Sequence, residues 1–415
     1  MTMRVAVVSR SVFPLHRVGG LERHVFDLLN HLVEAGAQVT LITQPPYDDR
    51  PAGSLHPKVD VRYVPYVTFP FAGRRGTTVL DRSTAYPLFG LRAGNFAGDL
   101  VDRGDIDVVH GLGASVLGYA RRRSRSKAPL VLNPQGLEEF GATDPARAGL
   151  KRAGYLPLRM AVKACARAAD CVIATDKTLE PVVRAHLQLP PDRVRTIPNA
   201  LDLRWVDTLA GPDDAARVRS AAGIAADETV LFSVSRLEHN KGILVLTQAL
   251  HALQMHGGIL AGRRWRWVLA GTGPYRAPIE SAIRAAGLES HVVFAGRLND
   301  RDLHAWYEAA DLFVHPTLYE GSSLVTLEAM AHRRAVVATR AGGLPDKVHP
   351  GVNGWLVPPG DAGALAAALS GALSDSSRLQ VMGRESRAIV EREFSWSAAG
   401  AATLRLYDEL MGRHA

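Results

Sequence analysis

The sequence predicts an α/β protein made of two doubly wound, parallel-sheet domains. Short β-branched runs alternate with helical stretches along the whole chain. That is the pattern of parallel strands whose crossover helices cover both sheet faces. About a dozen such runs are more than one open sheet holds comfortably. The rhythm also restarts after Pro198-Asn199-Ala200-Leu201-Asp202.

The strand candidates follow in order. The first half carries Val5-Ala6-Val7-Val8, Gln38-Val39-Thr40-Leu41-Ile42, Val61-Arg62-Tyr63-Val64, Asp107-Val108-Val109-His110, Leu130-Val131-Leu132, Cys171-Val172-Ile173-Ala174 and Val194-Arg195-Thr196-Ile197. The second half carries Val230 to Val234, Trp267 to Ala270, Val292 to Ala295, Leu312 to His315, Ala335 to Ala338 and Trp355 to Val357. Each is short, apolar and β-branched or aromatic, as a strand buried on both faces requires. Between the halves, Asp207 to Asp227 is polar and helical without strand character. The expected domains are residues 1–203 and 204–396. Ligand loops at the C-terminal strand ends of each would face an inter-domain cleft.

The chain has 415 residues, 47% hydrophobic, which fits a soluble protein of two or three domains. Cys165 and Cys171 are too few for a disulfide framework and lack zinc spacing, so a buried, reduced pair is expected. The opening Met1 to Arg10 is no signal peptide, because its apolar run is short and continues into a strand. No uncharged stretch is long enough to span a bilayer, and a cytoplasmic location is expected. The net charge of +8, carried mainly by arginine, suits an anionic partner such as a phosphorylated metabolite, an anionic lipid or nucleic acid.

The most informative segment runs from Thr317 to Ala331, with Glu320-Gly321-Ser322-Ser323-Leu324-Val325 leading to Glu328. A small polar loop opening a helix can turn its N–H groups toward an anion. Carboxylates on either side of it suit ligand hydroxyls. Eight helical residues rise about 12 Å, comparable to the reach from a hexose across a diphosphate to a ribose. Exposed glutamates are ordinarily surface charge, but the flanking Gly, Ser and apolar residues argue against a free surface helix here. Arg236 at a strand end and Lys241 at the next helix start can neutralise a diphosphate leaving group without a metal. Gly271-Thr272-Gly273-Pro274, at another strand end, is either a tight turn or a bed for a nucleotide. Gly19-Gly20 opens the first helix and is either a plain turn or a site of close backbone approach. His110, closing its strand, is a site candidate or a core histidine.

Other chemistries are set aside. Asp105-Ile106-Asp107 precedes a buried strand rather than following one, so it is not read as a metal motif. No metal-spaced cluster and no nucleophile elbow is present, and no GxGxxG follows the first strand as a nicotinamide enzyme would require. The basic run Arg121 to Lys127 and the stretch Arg147 to Arg167 are either solvated faces or a surface able to lie on anionic lipid. Nucleic acid is disfavoured, since no aromatics interleave the arginines.

Taken together, Gly19-Gly20-x-Glu22, Pro198-Asn199-Ala200-Leu201-Asp202, Ser235-Arg236-Leu237 with Lys241-Gly242, Ala270 to Pro274, Glu320 to Ala331, Gly342-Gly343-Leu344-Pro345 and Asn353 to Asp361 resemble a family 4 glycosyltransferase. The resemblance covers most of the chain and is more specific in its second half. It implies the GT-B fold of two Rossmann-like domains, with the donor held mainly by the second and the acceptor by the first. A last helix, residues 397–415, would cross back to the first domain. It implies retaining transfer from a nucleoside-diphosphate sugar with no metal and no other cofactor. Arg236 and Lys241 would hold the diphosphate, Glu320 the sugar hydroxyls and Glu328 the ribose. The amides of Ser323, Leu324 and Val325 would touch phosphate or sugar oxygens, and Gly19 and Gly20 would close on the diphosphate. Gln135 stands where many members carry a histidine. Glutamine cannot take a proton, which fits a front-face route in which the leaving diphosphate accepts it. Glu138 and Glu139 are acceptor-contact candidates.

The expected activity is sugar transfer to a glycan or lipid-linked acceptor in cell-envelope or polysaccharide biosynthesis, with peripheral contact to the inner membrane face. The alternatives are a GT-B sugar-nucleotide epimerase or hydrolase, and a non-catalytic binder of nucleotide-sugars or anionic membrane.

Overall fold

The computed structural model describes residues 2–16, 19–46, 54–68, 77–135, 137, 140, 153–255 and 257–412. The chain forms two compact units. One is Met1–Asn199 together with Trp396–Ala415; the other is Ala200–Ser395.

The first unit holds β1 (Arg4–Val8), β2 (Gln38–Thr43), β3 (Val59–Tyr63), β4 (Val108–Leu112), β5 (Leu130–Asn133), β6 (Cys171–Ala174) and β7 (Val194–Thr196). They form one sheet in the order β3-β2-β1-β4-β5-β6-β7, parallel at every pairing. The second unit holds β8 (Thr229–Val234), β9 (Trp265–Ala270), β10 (Val292–Gly296), β11 (Leu312–His315), β12 (Ala335–Thr339) and β13 (Gly354–Val357). Their order is β10-β9-β8-β11-β12-β13, again all parallel. Every run expected from the sequence overlaps one of these strands.

Strand order reverses where β1 meets β4 and where β8 meets β11. Chain connections leave on opposite sides at these two points, so a crevice opens beyond the strands' C-terminal ends. The central strands are apolar on both faces because helices cover both; β4 and β12 are buried at every residue. In the second unit Phe232 packs edge-on against Tyr307 and Phe313, which lie tilted against each other, beneath the switch point. Burying each such ring is worth roughly 1.5–3 kcal/mol, and this cluster sets the floor under the loop that follows β11.

The last helix, Trp396–Leu410, belongs to the first unit, with Tyr407 and Trp396 against His110 and His24. Cys165 and Cys171 are free and buried, and burial pushes their thiols up to about 12 and about 11. Asp107 is tied to Arg4 and Asp105 to Arg103, so both acids act in ion pairs at the base of β4. In the basic run, Arg122 pairs with Asp99 and Asp102, and Arg123 grips Asp170 through two nitrogens. Among the described residues no helix is long and apolar enough to cross a membrane.

Candidate functional site

The second unit gathers its polar side chains where β8 and β11 end. After β8 the chain turns through Arg236 to a short helical turn, His239–Lys241, and enters the helix Ile243–Gln254 through Gly242. Gly242 has φ +66°, and a Cβ there would lie 1.9 Å from the Pro316 carbonyl oxygen. Only glycine permits both that backbone and that approach. The two loops are then laced together, with Leu318 N–H and Thr317 Oγ1 donating to the Asn240 carbonyl at 2.8 and 3.1 Å.

This lacing brings Lys241 to Glu320, Nζ to Oε2 at 3.0 Å, with both side chains about 15% exposed (15% and 14%). The same oxygen lies 2.9 Å from His315 Nε2. Burial alone would raise the Glu320 carboxyl; the hydrogen bond from His315 and the two neighbouring charges outweigh it and hold the group down at about 2. Glu320 is therefore an ionised acceptor across the physiological range. Beyond it, Gly343 N–H donates to the Gly321 carbonyl at 2.9 Å. Gly342, with φ +53°, packs so closely that a Cβ would sit 2.0 Å from the Glu320 carbonyl oxygen. The loop that follows β12 thereby clamps the Glu320–Ser323 segment from behind.

Ser323 caps the helix Leu324–Ala331, accepting the Thr326 N–H at 3.4 Å. The N–H groups of Leu324 and Val325, in the first turn, have no intrahelical acceptor and carry the positive end of the helix dipole. Glu328 sits further along the same helix, where the buried Tyr307 donates its hydroxyl to Oε2 at 2.8 Å. Lys347, fully buried, places Nζ 3.4 Å from Ser322 Oγ and 3.3 Å from the Gly343 carbonyl. An amide-lined turn thus stands between two oriented carboxylates, with one lysine before it and another beneath it. The arrangement suits a ligand carrying hydroxyls at both ends and negative charge between them.

Arg236 lies outside this hydrogen-bonded cluster. Its side chain is 74% exposed and pairs with Glu238 at 3.0 Å. Gly271 and Gly273 support the loop that carries it: their Cβ atoms would lie 1.9 and 2.3 Å from the carbonyl oxygens of Ser235 and Leu237. Both glycines brace backbone against backbone. Among the described residues no group of three His, Cys, Asp or Glu is placed to hold a metal ion.

In the first unit, Gly19 is the extended N-cap of the helix Gly20–Glu34, and Glu22 accepts the Ser11 hydroxyl at 2.8 Å. The site reading of His110 is corrected. β4 continues two residues past it, the ring is 1% exposed, and Nδ1 lies 2.5 Å from the Tyr407 hydroxyl. Burial, with His24 adding repulsion, pushes its pKa down to about 3. It is a neutral core histidine beneath the last helix. Gln135 sits in a left-handed turn, φ +58°, with its N–H on Asn133 Oδ1 at 3.1 Å and its buried Nε2 without a partner. Glu138 and Glu139 lie outside the described residues.

Three residues of the second-unit cluster escape sequence reading: His315, Tyr307 and Lys347. His315 had a signal, as a polar residue closing a buried strand. Tyr307 and Lys347 had none, being 21 and 25 positions from the residues they meet.

Comparison with known proteins places this geometry. Residues 18–205 match the model described as Glycosyltransferase Family 4, and residues 214–389 that described as Glycosyl transferases group 1. A D-inositol 3-phosphate glycosyltransferase of Saccharomonospora viridis is 30% identical over 98% of this chain and 94% of its own. The uncharacterized glycosyltransferase MJ1607 of Methanocaldococcus jannaschii is 30% identical over 58% of this chain and 61% of its own. Among solved structures, sucrose-phosphate synthase of Thermosynechococcus elongatus superposes with a TM-score of 0.78 at 25% identity, covering 99% of this chain and 100% of that one. Anabaena HepE, crystallised with UDP-glucose, gives 0.70 at 19% identity, covering 98% and 100%. The fold is GT-B, and the chain belongs to glycosyltransferase family 4.

Proposed function

We propose that the protein transfers a sugar from a nucleoside-diphosphate donor, with retention at the anomeric carbon and without a metal, to a glycan or lipid-linked acceptor held by the first unit. The Lys241–Glu320–His315 cluster at the head of the amide-lined turn carries this reading. Glu320, kept ionised, accepts hydrogen bonds from the sugar hydroxyls. Lys241 and Arg236 meet the negative charge that grows on the diphosphate as the glycosidic bond breaks, the point at which electrostatic help lowers the barrier most. Glu328, oriented by Tyr307, receives the ribose hydroxyls. The nucleophile is an acceptor hydroxyl. Gln135 cannot take its proton, so the proton passes to the departing diphosphate on the same face.

A cell-envelope or polysaccharide role with peripheral membrane contact draws support from the helix Leu156–Ala168. Leu156 and Met160, one turn apart, are 53% and 64% exposed, with Arg159 and Lys163 beside them. A second acceptor class is favoured by the inositol-phosphate relative: a small phosphorylated cyclitol, which would also suit the chain's positive charge.

The test is a thermal-shift screen against UDP-, GDP-, ADP- and TDP-sugars, followed by product analysis with and without each acceptor class in the presence of EDTA. A product of retained configuration supports the reading. Donor turnover that needs no acceptor would point instead to an epimerase or hydrolase. Donor binding without turnover would point to a non-catalytic binder, and EDTA-sensitive turnover would refute metal independence.

A further inference from the structure

The base of the second unit holds a cavity of about 620 Å³, within the size range of small-molecule sites. It opens where the strands begin. Thr229 starts β8, Asp311 precedes β11, and Arg333 and Arg334 precede β12; Arg263 and Arg384 complete the charged lining. The proposed donor loops lie at the other end of the same strands. Five residues of β12 separate the two levels, roughly 16 Å at about 3.3 Å per residue.

Four guanidinium groups face one carboxylate here. Asp311 is already engaged, accepting the Val230 N–H at 2.7 Å. Arg263 and Arg334 are anchored mainly through carbonyls, Arg263 on Leu373 at 3.0 Å and Arg334 on His332 and Ala310 at 2.6 Å each. Glu308 stands 3.8 Å from Arg334. Arg333 and Arg384 are exposed, and among the described residues their side chains make no hydrogen bond or ion pair. Asp207 and Glu308 are the acids whose charge Arg333 feels at longer range.

The backbone at Arg333 adds a second observation. Its N–H and that of Arg334 close the helix Leu324–Ala331 onto Met330 and Ala329, at 3.0 Å each, and its φ is +56°. Such a left-handed helix stop is ordinarily glycine, because any side chain there is strained. The position is also walled in, since a Cβ on Gly383 would lie 2.0 Å from the Arg333 carbonyl oxygen. An arginine kept at a glycine position, with its head unpaired beside three other guanidiniums, has the properties of a ligand group.

We infer that this cavity is a second anion site that binds a small phosphate-bearing molecule, separate from whatever the strand C-terminal ends bind. Arg333 and Arg384 would grip the phosphate oxygens, with Arg263 and Arg334 as the fixed back wall. Ser374 and Ser376 line the same cavity and offer hydroxyls to the remainder of the ligand.

Calorimetric titration of the full chain with inorganic pyrophosphate at fixed ionic strength tests this. The variants are Arg333→Gly/Arg384→Ala and, for the other end of the strands, Arg236→Ala/Lys241→Ala. Glycine suits the backbone at 333, so the first variant should melt with the wild type in the absence of probe. The expected result is one class of pyrophosphate binding weakened at least about tenfold in Arg333→Gly/Arg384→Ala and retained in Arg236→Ala/Lys241→Ala. The inference is overturned if the Arg333→Gly/Arg384→Ala titration superimposes on the wild type. It is equally overturned if Arg236→Ala/Lys241→Ala abolishes all binding, or if the wild type binds no pyrophosphate.

Discussion

Glu320→Gln tests the electrostatics of the cluster without changing its shape. The carboxyl is lowered from an ordinary 4.5 to about 2, a stabilisation of about 3 kcal/mol at about 1.36 kcal/mol per pH unit. Because the folded-state value is the lower one, the contribution is complete above pH 4.5 and disappears as pH falls toward 2. At pH 3.5 the unfolded carboxyl is mostly protonated and the folded one still ionised, so roughly 1 kcal/mol is already lost. Glutamine keeps the volume and has no such dependence. The melting-temperature gap between wild type and Glu320→Gln should therefore narrow from pH 7 to pH 3.5.

For a unit spanning Ala200–Ser395, each kcal/mol shifts the melting point by roughly 2–4 °C, so the narrowing should be about 2–4 °C. The assay is thermal unfolding followed by tryptophan fluorescence. It reports chiefly on this unit, which holds Trp205, Trp265, Trp267, Trp306 and Trp355. A gap that stays constant between the two pH values would show that Lys241 and His315 do not hold Glu320 ionised, and the proposed role of Glu320 as a fixed acceptor would go with it.

Three further outcomes follow from the same geometry. Arg236→Ala should leave the melting point unchanged, since the side chain is 74% exposed, and should cut turnover about 10²–10³-fold; near-normal turnover removes Arg236 from the chemistry. Tyr307→Phe deletes the hydroxyl on Glu328, a hydrogen bond to a charged group worth about 1.5–3 kcal/mol. It should raise the donor KM about tenfold or more with a smaller change in kcat, and an unaltered KM would make the tyrosine purely structural. Gly242→Ala forces a Cβ against the Pro316 carbonyl at a left-handed backbone and should destabilise the second unit by at least about 1–2 kcal/mol in urea unfolding; a neutral effect would mean that the two loops are not packed as described.

The fold was legible because its signals are local. A strand such as Val5-Ala6-Val7-Val8 or Ala335-Val336-Val337-Ala338 announces burial on both faces within four residues, and alternation with helices does the rest. The Glu320–Glu328 segment was legible for the same reason: its loop, cap and two acids all lie within nine consecutive positions. His110 misled because a polar residue late in a parallel strand reads the same whether it faces a ligand or a neighbouring helix. Its partner, Tyr407, is 297 positions away, and no local pattern carries that information. Tyr307 and Lys347 were invisible on the same ground.

The pairing of Lys241 with Glu320 shows what the missing information does to a mechanism. Sequence reading assigns the lysine to the diphosphate and the glutamate to the sugar hydroxyls, as separate groups. Across 79 positions the fold sets them 3.0 Å apart. One lysine cannot serve a phosphate oxygen beside that carboxylate unless the sugar and its phosphate both lie at the same spot. The bond joining them, the one that breaks in transfer, is then the part of the donor nearest the pair. Under the proposed function, Glu320 would hold the Lys241 ammonium in place until an arriving diphosphate competes for it, and the sugar hydroxyls would take up the acceptor capacity that Glu320 regains. Lys241→Ala and Glu320→Gln should therefore couple. If each acts through the other, the double variant loses less than the sum of the two single losses in kcat/KM, expressed as free energies. Strict additivity would mean that the two side chains meet the donor independently, with the reacting bond elsewhere.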